Sequence, residues 1–267
     1  MVKKEAVQKA KISELKNLFI HKYLPHRHIP VISPIYKTAR KQYRIYKYSG
    51  ERVNCAICEK QFGSWLGKSL ICPGCGSAAR HRLMWLFLEK RFEAFGKKLK
   101  VLHIAPWSGL QKKFKELNNW EYTTADLSAP NVDIHVDLTN LNFDNESFDM
   151  VICSHILEHI PDDVKAMSEI FRILTLGGHA YIQVPYSNSR MTIEDFSVVD
   201  PLGRMRLFGQ ADHVRKYGAD LKERLDSVGF SVNEDYSARE LDEEQREIYG
   251  VGKIVDDNDA VFWCSKS

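Results

Sequence analysis

Short apolar runs alternate with segments of helical periodicity from residue 100 to the end of the chain. Apolar runs of this length are typical of buried strands, and the segments between them place apolar residues on one face of a helix. Strands that alternate with helices predict a mostly parallel sheet covered by helices, and hence an α/β fold. The predicted strands are 101–104, 121–125, 134–136, 150–153, 180–184, 230–232 and 260–263, and the predicted helices are 110–117, 162–174 and 219–228. Ligands of such a sheet bind at the carboxyl ends of its strands, so functional residues are expected just after the strands.

The first hundred residues have a different pattern. Ile12, Leu15, Leu18 and Phe19 lie among lysines at the spacing of one face of a short basic helix. Prolines at 25, 30 and 34 are then expected to break regular structure. Residues 78–95 contain neither Gly nor Pro and are predicted to be helical. The sequence thus predicts four parts: a basic N-terminal arm (1–50), a cysteine module (51–78), a connecting helix (79–99) and an α/β domain (100–267).

Charge is distributed unevenly along the chain. Residues 1–50 hold twelve Lys or Arg and two Glu, a net charge of +10, whereas the remaining residues carry −7. A basic arm is expected to meet phosphate on nucleic acid or on an anionic membrane surface, and a solvated tail is the alternative. The longest apolar run is six residues, 83–88, against the roughly 20 that a membrane span needs. With no recognisable secretory signal, the expected location is cytoplasmic, with peripheral membrane contact as an option.

Four of the six cysteines are paired by spacing. Cys55 and Cys58 form one C-x2-C pair, and Cys72 and Cys75 form a second pair within Cys-Pro-Gly-Cys-Gly. Four thiolates on two tight turns are typical of a closed, structural Zn²⁺ site, the zinc ribbon. Iron with the same ligands stays open, as do two unrelated redox or core pairs. Cys153 and Cys264 lie in apolar runs and are expected to be small buried side chains.

The loop after the first predicted strand reads Ala-Pro-Trp-Ser-Gly at 105–109 and lacks the glycine-rich dinucleotide fingerprint. A dinucleotide cofactor is therefore not expected, although a ligand without phosphate could use this loop. Asp126 ends the second strand, where a carboxylate can accept both ribose hydroxyls. A turn or helix-capping role is the alternative for Asp126. Asp137 and Leu138 follow the third strand and could hold an adenine amino group and pack its ring.

Three further motifs resemble S-adenosylmethionine-dependent methyltransferases of class I, the seven-stranded Rossmann-like type with type 11-like motifs. They are Leu-x-Phe-x4-Phe-Asp-x-Val at 141–151, His-Ile-Leu-Glu-His at 155–159 and Arg-Ile-Leu-Thr-Leu-Gly-Gly at 172–178. The resemblance covers about residues 100–264 and implies a seven-stranded Rossmann-like fold, S-adenosyl-L-methionine as cofactor and methyl transfer as the activity. The cysteine module and the segment 208–218 are also similar to a bacterial subgroup associated with surface-polysaccharide biosynthesis.

The resemblance also implies a set of cofactor contacts. The family's first loop normally carries an acidic residue and two or three glycines, and this chain has only one glycine there. Backbone groups around Ala105 and Gly109 would therefore have to replace the usual contacts to the methionine part. The expected cofactor-binding residues are Ala105, Gly109, Asp126, Leu127, Asp137, Leu138, Ser154 and His155.

The methyl acceptor is expected near the loops after strands four and five. His155 and His159 follow the fourth strand, and residues 185–217 have no strong regular pattern, which predicts a lid or binding loop. Arginines in this loop are predicted to bind an anionic acceptor, with a solvated charged loop as the alternative. The expected substrate-binding residues are His159, Arg190, Arg204, Arg206 and Arg215.

A hydroxyl acceptor would profit from a general base. His155 or His213 is the predicted base, and Asp212 would orient His213 or act as the base itself. Structural histidines, and an enzyme that relies on positioning alone, are the alternatives.

Three functions remain. The first is O-methylation of a sugar or another phosphate-bearing small molecule or glycan. The second is RNA methylation, with the zinc ribbon and basic arm gripping the phosphate backbone. The third is a non-catalytic zinc-ribbon adaptor. Cys-Ser-His-Ile at 153–156 replaces the Asn/Asp-Pro-Pro-Tyr motif of amino-methylating enzymes, which weighs against that kind of RNA enzyme.

Overall fold

The computed structural model describes residues 29–252 and 260–267, and the chain divides into two units with the boundary between Ser49 and Gly50. In the first unit, helix α1 runs from Ile29 to Lys47. The expected break at the prolines is wrong for Pro30 and Pro34, because α1 begins before both of them. Proline is compatible with a first helical turn, whose N–H groups have no acceptor within the helix, and this accounts for Pro30. Pro34 lies in the second turn, where it removes one hydrogen bond of the helix. The predicted helix around 12–19 lies outside the described residues.

The second unit is built on the predicted seven-stranded α/β sheet. Its strands are β3 (Leu99–Ile104), β4 (Trp120–Asp126), β5 (Ile134–His135), β6 (Phe148–Ser154), β7 (Leu174–Gln183), β10 (Ser231–Asp235) and β11 (Val261–Ser265). They lie in the order β10-β11-β7-β6-β3-β4-β5. Only β11 is antiparallel to its neighbours, so the carboxyl ends of the central strands share one edge. The fold class expected from the sequence is confirmed.

Helices cover the sheet because alternate residues of each strand face opposite sides. Leu102 and Ile104 of β3 belong to the main core, together with buried residues of α4. His103 faces the other side and contacts Phe114 of α3. The helices of this unit are α2 (Ala79–Leu86), α3 (Ser108–Lys115), α4 (Asp163–Ile173), α5 (Pro201–Phe208), α6 (Leu221–Ser227), α7 (Ser237–Glu240) and α8 (Glu243–Tyr249). A π-helical turn, Phe87–Arg91, continues α2, so the predicted helical segment at 78–95 is present although irregular. No helix among the described residues is long and apolar enough to cross a membrane.

The segment 185–217 is more regular than its sequence suggests. It forms α5 and a small hairpin of β8 (Ile193–Glu194) with β9 (Arg215–Lys216). The local signals for α5 are present, because Asp200 caps the helix through the N–H of Gly203 and Pro201 occupies the first turn. Gly209 ends α5 with a left-handed φ of 92°.

The cysteine module consists of the hairpin β1 (Val53–Asn54) and β2 (Gln61–Phe62) and the two cysteine turns. The fully buried guanidinium of Arg82 joins it to the rest of the unit. Nη1 donates to Ser77 O at 2.8 Å, and Nη2 donates to Leu70 O at 2.8 Å and to Gly250 O at 2.9 Å. Nε donates to Tyr249 O at 2.7 Å. One side chain in α2 therefore ties the module to the end of α8.

We predict that Arg82→Ala destabilises the protein by about 3–5 kcal/mol, because it leaves a cavity and several buried carbonyl groups without donors. Guanidinium chloride unfolding measures the change. Arg80→Ala is the matched control, since Arg80 lies in the same helix and is exposed, and should cost less than about 1 kcal/mol. Equal stability of the two variants would contradict the central role given to Arg82.

Candidate functional site

Two neighbouring parallel strands end in the same unusual way. Ala105 follows β3 and donates its N–H to Ala125 O at 2.7 Å, and His155 follows β6 and donates its N–H to Gln183 O at 2.7 Å. Both residues then adopt a left-handed backbone, with φ of 44° at Ala105 and 57° at His155. Such values are uncommon for residues other than glycine. Each strand thus ends with one last hydrogen bond to a neighbouring strand, after which the backbone turns sharply away. The two turns leave the edge of the sheet open between β3 and β6.

A pocket of about 190 Å³ lies at this edge. It combines the strand ends with side chains of α2, and it brings together three predicted site residues: Ala105, Ser154 and His155. The contribution of α2 to the pocket wall is not predicted from the sequence. The lining residues are Arg80, His81, Met84, His103, Ala105, Trp107, Leu110, Ser154, His155 and Ile156.

Trp107 shapes the pocket wall. Its ring stacks on the His81 imidazole, with centroids 4.5 Å apart and planes inclined by 7°. A Cβ on Gly109 would lie 2.1 Å from the Trp107 ring, so the glycine is what lets the indole lie there. The absence of a side chain at Gly109 therefore serves packing, whereas the sequence predicted a cofactor contact at this residue.

The two histidines of the inner pocket are uncharged at neutral pH. Burial and, to a smaller extent, the nearby Arg80 charge lower the pKa of His81 to about 3. Burial also lowers the pKa of His103 to about 3, and His103 Nδ1 lies 2.8 Å from Tyr122 Oη. Neutral imidazoles add no repulsion against a positively charged ligand, so Arg80 is the charged side chain among the residues that line the pocket.

The predicted ribose and adenine residues lie along the same edge but outside this pocket. Asp126 ends β4, and its Oδ1 accepts N–H bonds from the next loop at 2.7 Å each. Asp137 likewise accepts from the N–H and hydroxyl of Thr139. Leu138 is buried in the core and Leu127 is exposed. The turn role considered for Asp126 is therefore present, and Oδ2 of Asp126 makes no hydrogen bond within the described part of the chain.

The predicted acceptor-side residues surround Glu158, which the sequence places after the fourth strand beside His155 and His159 but without a role of its own. His155 Nδ1 lies 3.2 Å from Glu158 Oε1, and His213 Nε2 lies 4.0 Å from the same oxygen. His159 Nδ1 lies 3.3 Å from Asp212 Oδ2, and the rings of His159 and His213 are 4.7 Å apart and nearly perpendicular. The N–H of Val214 donates to Glu158 O at 2.9 Å and brings the two segments together.

The four predicted arginines have different surroundings. Arg190 and Arg206 are exposed, and Arg204 is half-buried with Nε donating to Val198 O at 2.9 Å. Arg215 is fully buried, which corrects the expectation that it faces an acceptor. Its guanidinium bonds to Glu194 at 3.0 Å and to the carbonyl groups of Leu157, Ile160 and Pro161.

The four predicted metal-ligating cysteines lie together. Their sulfur atoms are all within 4.8 Å of one another, with 3.6 Å between Cys55 and Cys75 and 3.7 Å between Cys58 and Cys72. Two sulfurs bound to one tetrahedral zinc at about 2.3 Å would be about 3.8 Å apart. The donor set and its spacing fit one tetrahedral ion.

We predict opposite effects of Gly109→Ala in two backgrounds. With Trp107 present, the new methyl group must displace the indole and should destabilise the protein by about 1–3 kcal/mol. In a Trp107→Ala background the same change should be stabilising by up to about 1 kcal/mol, since alanine is the better helix residue. Thermal unfolding of the four proteins gives both values. Gly96→Ala is the control because a Cβ there meets nothing within 4 Å. The same sign in both backgrounds would contradict the packing role of Gly109.

Comparisons with known proteins found a matching family model and similar solved structures. Residues 72–182 match a family model described as a methyltransferase domain, and no curated protein matches the sequence. Among solved structures, an S-adenosylmethionine-dependent methyltransferase from Mesorhizobium loti is 15% identical, with 69% of this chain and 100% of that chain covered and a TM-score of 0.46. The 1,6-didemethyltoxoflavin-N1-methyltransferase of Burkholderia thailandensis is 14% identical, with 91% of each chain covered and a TM-score of 0.46. The family model spans less than half of the chain, and together with the seven-stranded sheet it supports methyltransferase activity for this region.

Proposed function

We propose that this enzyme methylates a hydroxyl group on a sugar or on another phosphate-bearing small molecule or glycan. The observation that carries the proposal is the closeness of His155 to Glu158 at the pocket. The Glu158 carboxylate lies 3.2 Å from Nδ1 of His155, without hydrogen-bond geometry, and Nε2 of His155 has no hydrogen-bond partner among the described residues. A carboxylate charge this close to an imidazole stabilises the cation that forms when the ring accepts a proton. Removal of a proton is what a hydroxyl acceptor requires.

The cofactor would be held along the carboxyl edge of the sheet. S-adenosyl-L-methionine supplies an electrophilic methyl group on a positively charged sulfonium. The neutral His81 and His103 suit that charge, and the backbone at Ala105 and the Ser154 hydroxyl supply polar groups. The pocket of about 190 Å³ is smaller than a typical site for a whole small molecule, about 300–1,000 Å³. We therefore assign only the methionine part to it, with the ribose at Asp126 and the adenine toward Asp137.

The acceptor would approach from the side of the segment 185–217. Arg190 and Arg206 are exposed there and can reach a phosphate in solution, and guanidinium groups bind phosphate through two parallel hydrogen bonds. Arg204 is a weaker candidate because its Nε is engaged by Val198. Arg215 is excluded from this role by its burial. These placements support an anionic acceptor and do not identify it.

The cysteine module is proposed to bind one structural Zn²⁺ through Cys55, Cys58, Cys72 and Cys75. Four thiolates fill a tetrahedral shell and leave no open position for a substrate. Because β1 and β2 are two residues each, the module has little regular structure of its own. Metal binding would then supply much of the free energy that orders it.

We predict that freshly purified protein contains one equivalent of zinc, with iron as the alternative ion. Cys72→Ser should lose the metal, and Cys153→Ala should retain it, because Cys153 is buried in β6 outside the module. Metal analysis of both variants, with circular dichroism to follow folding, makes the comparison. Chelation should unfold residues 52–78 and leave much of the sheet intact. Less than half an equivalent of either metal in the wild-type protein would overturn the assignment.

RNA is the second candidate acceptor, favoured by the composition of α1. Tyr36, Tyr43 and Tyr46 are exposed on this helix among lysines and arginines. Exposed aromatic and cationic side chains together can bind unpaired bases and phosphates. In the primary proposal the same basic arm, residues 1–50, contacts an anionic membrane surface instead. The polysaccharide role and a cytoplasmic, membrane-peripheral location belong to that primary proposal.

We predict methyl transfer from radiolabelled S-adenosylmethionine to sugar nucleotides or lipid-linked sugars, and none to RNA. Once an acceptor is found, His155→Ala should slow the single-turnover rate by about 10²–10⁴, the usual contribution of a general base. His135→Ala is the control, since His135 lies on β5 and bonds to Ala129 O outside the pocket. Label transferred to RNA alone would overturn the primary proposal. A loss below about tenfold in His155→Ala would mean that positioning carries the reaction.

A further inference from the structure

The Glu158 carboxylate is buried without the partners that such a group needs. Its side chain is 1% exposed, and neither carboxylate oxygen has a hydrogen-bond partner among the described residues. An ionised carboxylate in this state is strongly unfavourable unless a charge or a metal compensates it. The nearest group, His155 Nδ1, lies 3.2 Å from Oε1 but without hydrogen-bond geometry. Something that binds both Glu158 and its neighbours would remove this penalty.

His213 presents a free nitrogen to the same place. Its Nδ1 lies 3.2 Å from Phe208 O, and a carbonyl oxygen can only accept, so Nδ1 carries the proton. Nε2 is then a lone-pair donor, and it lies 4.0 Å from Glu158 Oε1 without any hydrogen-bond partner in the described chain. The imidazole is 2% exposed, so its orientation is fixed by packing.

His159 repeats the arrangement on the other side. Its Nδ1 faces Oδ2 of Asp212 at 3.3 Å, which leaves Nε2 of His159 as the lone-pair nitrogen. A carboxylate or carbonyl group behind each imidazole is the usual support of a metal-ligating histidine, since it fixes both the tautomer and the ring orientation. Glu158, His159 and His213 each offer one ligand atom, and these atoms lie within 4.8 Å of one another.

We propose that Glu158, His159 and His213 bind one divalent transition-metal cation at the acceptor side of the pocket. Two imidazoles and one carboxylate suit Zn²⁺, Fe²⁺ or Co²⁺ and leave coordination positions open. Ligand atoms about 2.1 Å from a tetrahedral ion lie roughly 3.4 Å apart, so the side chains need to close by about 1 Å. Rotation about the side-chain bonds of Glu158 and His159 can supply this closure, since the His159 side chain is 34% exposed.

Other charged groups near Glu158 offer the competing explanation. A protonated His155 would pair with the carboxylate, and Arg80 lines the same pocket. Either could compensate Glu158 in place of a metal, and neither explains why Nε2 of His213 lies 4.0 Å from the same carboxylate without a partner, with an imidazole nitrogen of His159 in the same cluster. The two explanations differ in what they predict for cation binding.

A cation there would change the proposed reaction, and this consequence rests on the function proposed above. The acceptor hydroxyl could occupy an open position, where a metal ion lowers the pKa of a bound oxygen and orients it. Cation binding itself does not depend on the identity of the acceptor. A protein that transfers methyl groups but binds no cation would therefore overturn this inference and leave the proposed function intact.

The test uses full-length protein and Co²⁺. The protein is dialysed against metal-free buffer without chelator, so that the one equivalent expected at the four cysteines stays bound, and is then titrated with Co²⁺ by calorimetry and visible absorption. We expect one further Co²⁺ per chain, with the weak bands of nitrogen and oxygen ligands and no sulfur-to-cobalt charge transfer. Glu158→Gln and His213→Gln should each weaken this binding at least tenfold. His179→Gln is the matched control, because His179 is a partly buried histidine in the middle of β7 and is not part of the Glu158 cluster.

A second readout separates metal binding from a merely structural role. Co²⁺ should raise the unfolding temperature of the wild-type protein and of His179→Gln, and should leave Glu158→Gln unchanged. If Glu158→Gln does not fold, His159→Gln takes its place, since its side chain is 34% exposed and tolerates replacement. No further Co²⁺ bound, binding with sulfur charge-transfer bands, or equal affinity in the Glu158 or His159 variant would overturn the proposal.

Discussion

The buried guanidinium of Arg82 is the interaction on which the arrangement of this protein depends. A guanidinium taken out of water needs all of its N–H groups satisfied, because an unmet donor in the interior costs more than a typical hydrogen bond contributes. Here carbonyl groups from the cysteine module and from the end of α8 supply the acceptors, and the indole of Trp65 packs 3.9 Å from the guanidinium carbon. The indole N–H in turn donates to Glu247 O at 3.2 Å. The hydrogen-bond donors of the Arg82 side chain thus fix where the cysteine module lies relative to the sheet.

The same device recurs at the candidate site. Arg215 is buried under the turn that carries Glu158 and His159, and it holds the carbonyl groups of that turn together with Glu194 of β8. The pocket wall contributed by the segment 185–217 is therefore fixed at its base, while its exposed residues remain accessible. A rigid frame that presents a few adaptable side chains is what positioning of two substrates requires.

The sequence reveals the sheet more readily than the site. Apolar runs such as 150–153 mark strands because a buried strand needs apolar residues on both faces, and that requirement is local. Local signals also mark both ends of α5, namely Asp200, Pro201 and Gly209. The helix was nevertheless not predicted, because its sequence lacks an apolar face of helical periodicity. The burial of Arg215 could not be foreseen, because its partners lie some 55 residues earlier in the chain. The sequence places Glu158 after β6, but it does not reveal that the carboxylate is buried without hydrogen-bond partners, because that depends on residues from two distant segments.

One property of the sheet concerns the order in which the chain is made. Among the described strands β11 comes last in the sequence, yet it lies between β7 and β10. During synthesis β10 therefore has no strand to pair with until Val261–Ser265 have left the ribosome. The acceptors that Arg82 finds at Tyr249 and Gly250 are also made late. Both the cysteine module and one edge of the sheet therefore depend on segments that lie late in this sequence, so the domain reaches its full set of contacts only once residues 249–265 are available.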